Sequence, residues 1–153
     1  MFAIPGIATA QKAVIVVRHA ENAGDTLTET GLAEAQRLAV ALEGAEIAAV
    51  YSTNSRRTIG TATPLAEQRK LRIAIYDTSA GPDRFDARPF VAGLRKEHPS
   101  DVLLVVGHVT TIPDLLSALG VPGEVTVAPL DYTSLYIVVP RKEGPATLVR
   151  VRY

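Results

Sequence analysis

The 153-residue chain has no cysteine. That excludes structural disulfides, thiolate zinc sites and a cysteine nucleophile. It also lacks charge of a prevailing sign: 16 Lys and Arg face 16 Asp and Glu, a formal net charge of +0. A general nucleic-acid binder shows a basic excess or a basic run, and neither is present. Any anion site must therefore be assembled from a few local cations. No apolar run approaches the ~18 residues that span a bilayer, so no membrane partner is expected. There is no Gly-x-Ser-x-Gly elbow, which removes the common signature of a Ser-His-Asp hydrolase.

What is present is an ordinary globular balance, 47% hydrophobic and 21% charged residues, in a length that suits one domain with a sizeable core. The first ten residues, MFAIPGIATA, end in the small-x-small sequence Ala8-Thr9-Ala10 but lack a basic region ahead of a short apolar stretch. Residues 1–12 are expected to be an N-terminal arm with no targeting role, or else a signal remnant. The first reading favours the cytoplasm and the second favours export. Residues 13–153 are expected to form a single catalytic domain.

Short apolar runs alternate with amphipathic stretches. Ala13–Val17, Ile47–Tyr51, Leu71–Tyr76 and Val102–Val106 read as strands, the first and last buried on both faces. Helices are expected from Gly31 to Glu43 with Thr28 as N-cap, from Arg56 to Arg69, from Phe90 to Glu97, and from Thr111 to Leu119. The first of these carries an apolar face of Leu32, Ala35, Leu38, Ala39 and Leu42. Ser134–Val139 and Thr147–Val151 read as an antiparallel hairpin. The order implies a three-layer α/β/α sandwich on a mostly parallel sheet. Such sheets bind ligands at the carboxyl ends of their strands.

Three polar clusters fall at those ends. Arg18-His19-Ala20-Glu21 follows the first strand, Gly107-His108 follows Val102–Val106, and Ser52–Ala62 brings Arg57 after the second strand. A helix N-terminus is expected after each cluster, adding backbone N–H groups to the field. The third histidine, His98, reads as a solvated loop residue. Arginine offers a planar, permanently charged fork to phosphate oxygens. A neutral histidine can attack phosphorus while a second, cationic one binds the equatorial oxygens. Two arginines and a histidine supply enough positive charge that neither metal nor cofactor is expected. A metallohydrolase is disfavoured further because Arg18 and Arg57 would repel a cation from the same pocket.

These residues resemble the histidine phosphatase superfamily, which includes the cofactor-dependent phosphoglycerate mutases. VIVVRHAEN is similar to the family's strand followed by Arg-His-Gly-Glu. Leu27-Thr28-Glu29-Thr30-Gly31-Leu32-Ala33-Glu34-Ala35-Gln36 resembles its Leu-Thr-x-x-Gly stretch. Ser52–Ala62 resembles its Ser-Ser-x-x-x-Arg-x-x-x-Thr-Ala, which sets the family arginine on Arg57. Val105-Val106-Gly107-His108 resembles its strand-Gly-His. The resemblance implies a phosphoglycerate mutase-like fold, with His19 as the nucleophile that becomes phosphohistidine. It also implies that Arg18, Arg57 and His108 complete the phosphate pocket.

Two departures stand out. Ala20 replaces the commoner glycine, so this backbone must avoid strongly positive φ. The leaving-group acid that larger members of the family place after the third strand, a glutamate, is missing. Asp77 is the first candidate for that role and Asp83 the second. The expected activity is a metal-independent phosphatase acting on a phosphomonoester or a protein phosphohistidine, with a phosphorylated small molecule or phosphoprotein as partner. The alternative is a catalytically weak or inactive phosphate-binding or regulatory module. A mutase ranks lower, because the segment before Val102 leaves little room for a large lid. Selectivity is expected from the rim: Asn22–Thr28, Asp77–Arg88 and Thr110-Thr111.

Overall fold

In the computed structural model, which describes residues 12–79 and 85–153, the apolar run after Lys12 forms β1 (Ala13–Arg18). A small hairpin follows, β2 (Asn22–Ala23) and β3 (Thr26–Leu27). Then come α1 (Glu29–Ala41), β4 (Ile47–Ser52), α2 (Arg56–Arg69), β5 (Ile73–Ile75), α3 (Arg88–Glu97), β6 (Val102–Gly107), α4 (Ile112–Ala118), β7 (Ser134–Val139) and β8 (Thr147–Arg152). The N-terminal arm up to residue 11, the Gly81-Pro82 turn and Asp83 lie outside the described residues.

The main sheet has six strands in the order β5-β4-β6-β1-β7-β8. β5, β4, β6 and β1 are mutually parallel, and β7 and β8 close one edge as an antiparallel hairpin. The alternating pleat sends β1 side chains to two cores. Val14 and Val16 pack with Val91, Leu94, Ile112 and Leu115 of α3 and α4. Ile15 and Val17 pack with Leu38, Ala39, Ala62 and Leu65 of α1 and α2. A β-branched run buried on both faces therefore lies at the middle of an α/β/α sandwich, as its composition implies.

Two local expectations are corrected. Leu32 does not belong to the buried face of α1: it is 56% exposed. That helix is turned to present Gly31 and Glu34 to the chain leaving β1. Thr28 does cap it, its hydroxyl accepting from the Gly31 N–H at 3.0 Å. A Cβ on Gly31 would stand 2.0 Å from the Glu21 carbonyl oxygen, so only glycine admits this approach. The second correction is that helices follow β4 and β6, but the chain after β1 enters the β2–β3 hairpin instead. No helix N-terminus faces the pocket from that cluster.

Candidate active site

β4, β6 and β1 are adjacent, and their register aligns Arg18 with Gly107 and Ser52 with Val106. The residues just beyond, His19, His108 and Thr53, therefore emerge side by side. The His19 N–H extends the ladder by donating to the Gly107 carbonyl at 3.0 Å. The His19 and His108 rings lie 5.4 Å apart, tilted by 60°. Together with Arg18 and Arg57 they line a cavity of about 680 Å³. Thus all four side chains expected at the strand ends meet.

His19 is 5% exposed. Its Nδ1 lies 2.9 Å from the Ala20 carbonyl oxygen. A carbonyl only accepts, so Nδ1 carries the proton and the neutral ring keeps its lone pair on Nε2. Burial first, then the Arg18 and Arg57 charges, holds the His19 pKa below its ordinary value. The Ala20 carbonyl, second in weight, and the more distant Asp25 oppose this shift. His108 is pushed down to about 4, by burial foremost and then by His19, Arg57 and Arg18. Both rings are therefore neutral near pH 7. For His108 this differs from the expected standing cation.

The arginines are held from outside. Arg18 Nη1 donates to the Pro129 carbonyl at 2.5 Å, and its guanidinium carbon lies 4.0 Å above the Tyr132 ring centre. Arg57 Nη1 lies 3.3 Å from the Gly24 carbonyl oxygen and 3.5 Å from Asp25 Oδ1. The Nε atoms of both arginines are buried and, among the described residues, have no hydrogen-bond partner. A dry unpaired donor is costly.

Several supporting residues were not singled out from sequence. The Ala20 N–H donates to Thr61 Oγ1 at 2.8 Å, and that hydroxyl donates to the Arg57 carbonyl at 2.7 Å. The loop bearing His19 is thereby tied to the helix bearing Arg57. Ala20 is buried, and its φ is not among the positive ones, so its Cβ is accommodated. Buried Glu34 accepts the Glu21 N–H at 2.8 Å. The signal for Thr61 was its place in the Ser52–Ala62 motif, while nothing in a helical glutamate announces a buried acceptor. Asp114, in the first turn of α4, lines the main cavity and was also missed.

The acid candidates sit differently. Asp77 lines a neighbouring cavity of about 450 Å³ that shares Arg57 and His108 with the main one. Its Oδ1 accepts from the Ser79 N–H at 2.8 Å and the Ser79 hydroxyl at 2.5 Å. These bonds hold its exposed carboxyl below the usual range. His98 is corrected: it is not a solvated loop residue. It caps α3, with Nε2 2.8 Å from the Tyr51 hydroxyl and Nδ1 2.9 Å from Asp101. Among the described residues, no three His, Asp or Glu side chains are grouped to hold a metal ion. No described helix is long and apolar enough to cross a membrane.

The fold is shared with solved phosphatases. Similar structures include the protein histidine phosphatase SixA complexed with tungstate, at 21% identity and a TM-score of 0.73, covering 92% of this chain and 96% of that one. A mycobacterial glucosyl-3-phosphoglycerate phosphatase with inorganic phosphate matches at 17% identity and 0.68, covering 93% and 96%. Bacillus stearothermophilus YhfR matches at 20% identity and 0.68, covering 90% and 95%. Among curated proteins none matches this sequence. The family model of the histidine phosphatase superfamily (branch 1) matches residues 14–78, the stretch that carries Arg18, His19 and Arg57. That match lies in the first half of the chain, and the likeness in fold to the solved structures extends through β6 and His108.

Proposed function

We propose that this chain is a metal-independent phosphatase that passes a phosphoryl group through His19. The observation that carries the reading is the His19 hydrogen bond to Ala20, which leaves Nε2 with a lone pair inside a pocket of fixed cations. Nε2 attacks phosphorus, the bond to the leaving group breaks, the leaving group departs with that electron pair and takes a proton from solvent, and a phosphohistidine forms. Water then attacks that phosphorus, releasing inorganic phosphate and restoring the imidazole. Arg18, Arg57 and His108 hold the phosphoryl oxygens through both steps, where catalysis is chiefly positioning and charge stabilisation.

The leaving group narrows the substrate. Asp77 is the residue of this reading that the geometry supports least as an acid, because Ser79 holds its carboxylate ionised. A substrate whose leaving group departs readily suits such a site. Protein phosphohistidine, with its labile P–N bond, fits that description, and SixA, one of the similar structures, is a protein histidine phosphatase. Small phosphomonoesters with good leaving groups fit the same cavity.

The test is to trap phosphoenzyme with a labelled reactive phosphate donor. Acid-labile, alkali-stable label is expected on His19 and is expected to vanish in His19→Ala. Absence of label in the unmodified protein with every reactive donor overturns the reading. A panel comparing a phosphohistidine protein with alkyl and aryl phosphates then ranks the substrates.

A further inference from the structure

The two pocket histidines differ in what meets their ring nitrogens. His19 faces a carbonyl. His108 faces a hydroxyl: its Nε2 lies 2.8 Å from Thr53 Oγ1, which lies 2.9 Å from Thr58 Oγ1. Thr53 and Thr58 are buried, 3% and 0% exposed. Thr58 Oγ1 also lies 2.9 Å from the Ser55 carbonyl oxygen and 3.1 Å from that of Thr53. The protons available to these short contacts can be counted. Carbonyls donate nothing, so the Thr58 proton points to them. The Thr53–Thr58 contact then needs the Thr53 proton. The contact between Thr53 and His108 is left with one donor, the Nε2–H of the imidazole.

We infer that Thr53 is a positioning residue that holds His108 as the Nε2–H tautomer, opposite to His19, so that His108 grips a phosphoryl oxygen only after gaining a proton on Nδ1. This rests on the phosphatase reading for its purpose but not for its test. In the free protein His108 is neutral, kept so by burial, and an unprotonated Nδ1 cannot donate. The groups facing it are His19 and Arg18 after β1, Arg57 of α2, Asp25 of the hairpin, Asp77 after β5 and Asp114 of α4. An entering phosphate adds the negative charge that favours protonating it. The proton comes from solvent when a dianion binds, or from the P–OH of a monoanion. The device makes phosphate binding proton-linked.

Imidazole 15N NMR of the full chain at pH 8, assigned with His108→Gln, reads the tautomers directly. The free protein is expected to show a protonated Nε2 and an unprotonated Nδ1 on His108, and the reverse on His19. Inorganic phosphate is expected to protonate His108 Nδ1. Its affinity is expected to weaken by up to about tenfold per pH unit above neutrality, the slope of one linked proton. Thr53→Val is expected to lose the tautomer preference, flatten that slope and lower kcat/KM by about 10²-fold, the scale of a misplaced pocket group. Thr53→Ser keeps the hydroxyl and is expected to restore all three. An Nδ1–H tautomer of free His108, or a Thr53→Val spectrum and slope identical to the unmodified protein, overturns the inference while leaving His19 labelling intact. Failure to label His19 overturns the phosphatase reading while leaving the tautomers to be read. Failure of phosphate to bind overturns both.

Discussion

His19 and Asp77 both follow strands of the same sheet, yet the surroundings of each set opposite prospects. His19 is 5% exposed, bonded to its own loop, and backed through Ala20 by Thr61 of α2. Asp77 is exposed and, among the described residues, its carboxylate is held by Ser79 two residues on. On the proposed reading, the part of the pocket that holds phosphate is fixed by contacts between segments far apart in sequence, whereas the candidate acid rests on a short-range turn. Such a site would bind the common part of many substrates firmly and constrain the variable part little.

The contrast can be broken most forcefully at His19. His19→Ala is expected to abolish phosphoenzyme and lower turnover of p-nitrophenyl phosphate by at least about 10³-fold, the scale for losing a covalent nucleophile. Arg57→Ala is expected to cost about 10²–10³-fold in kcat/KM, as loss of one preorganised donor does, measured with the same substrate. A loss of only a few-fold in either variant would remove the distinction between the two ends.

Gly31→Ala probes the scaffold behind the pocket. The added Cβ must displace the Glu21 carbonyl, so destabilisation of about 1–3 kcal/mol is expected, read by urea unfolding. Weaker phosphate binding is expected alongside it. Unchanged stability would mean that the loop yields and the phosphate end is softer than described.

The pH profile sharpens the electrostatics. The lowered His19 pKa keeps the nucleophile neutral as pH falls through 6.5, so the acid limb of kcat/KM is expected below that value. Folding stability has the same sign of dependence. The unfolded chain binds protons at His19 and His108 near pH 6.5, while the folded chain resists until lower pH, near 4 for His108. Stability is therefore full above 6.5 and falls between 6.5 and 4. Melting temperatures at pH 7.5 and 5 test this, and a higher value at pH 5 contradicts it.

The smallest effect is expected at the rim. Asp77→Asn should leave p-nitrophenyl phosphate turnover within about threefold, whereas loss of a working general acid costs about 10²–10⁴-fold. A loss of that size on alkyl phosphates would restore Asp77 to the acid role and make the two ends of the cleft equals.

Sequence carried much of this. The β-branched run at Ala13–Val17, the Thr28 cap and the strand-end placement of Arg18, His19, Arg57 and His108 were legible, because periodicity and chain order fix them locally. Leu32, Glu34 and His98 were misread or overlooked. Their surroundings come from chain segments that no local pattern announces, such as the Glu21 backbone, Tyr51 and Asp101. The sequence by itself determined which chemical groups would be present and at which end of the sheet. Tertiary structure decided their protonation and hold: a carbonyl on one histidine, a hydroxyl on the other, and burial around both. The reason is that proton placement depends on the nearest donor or acceptor within hydrogen-bond reach, and folding alone brings Thr53 to His108 across 55 residues of chain.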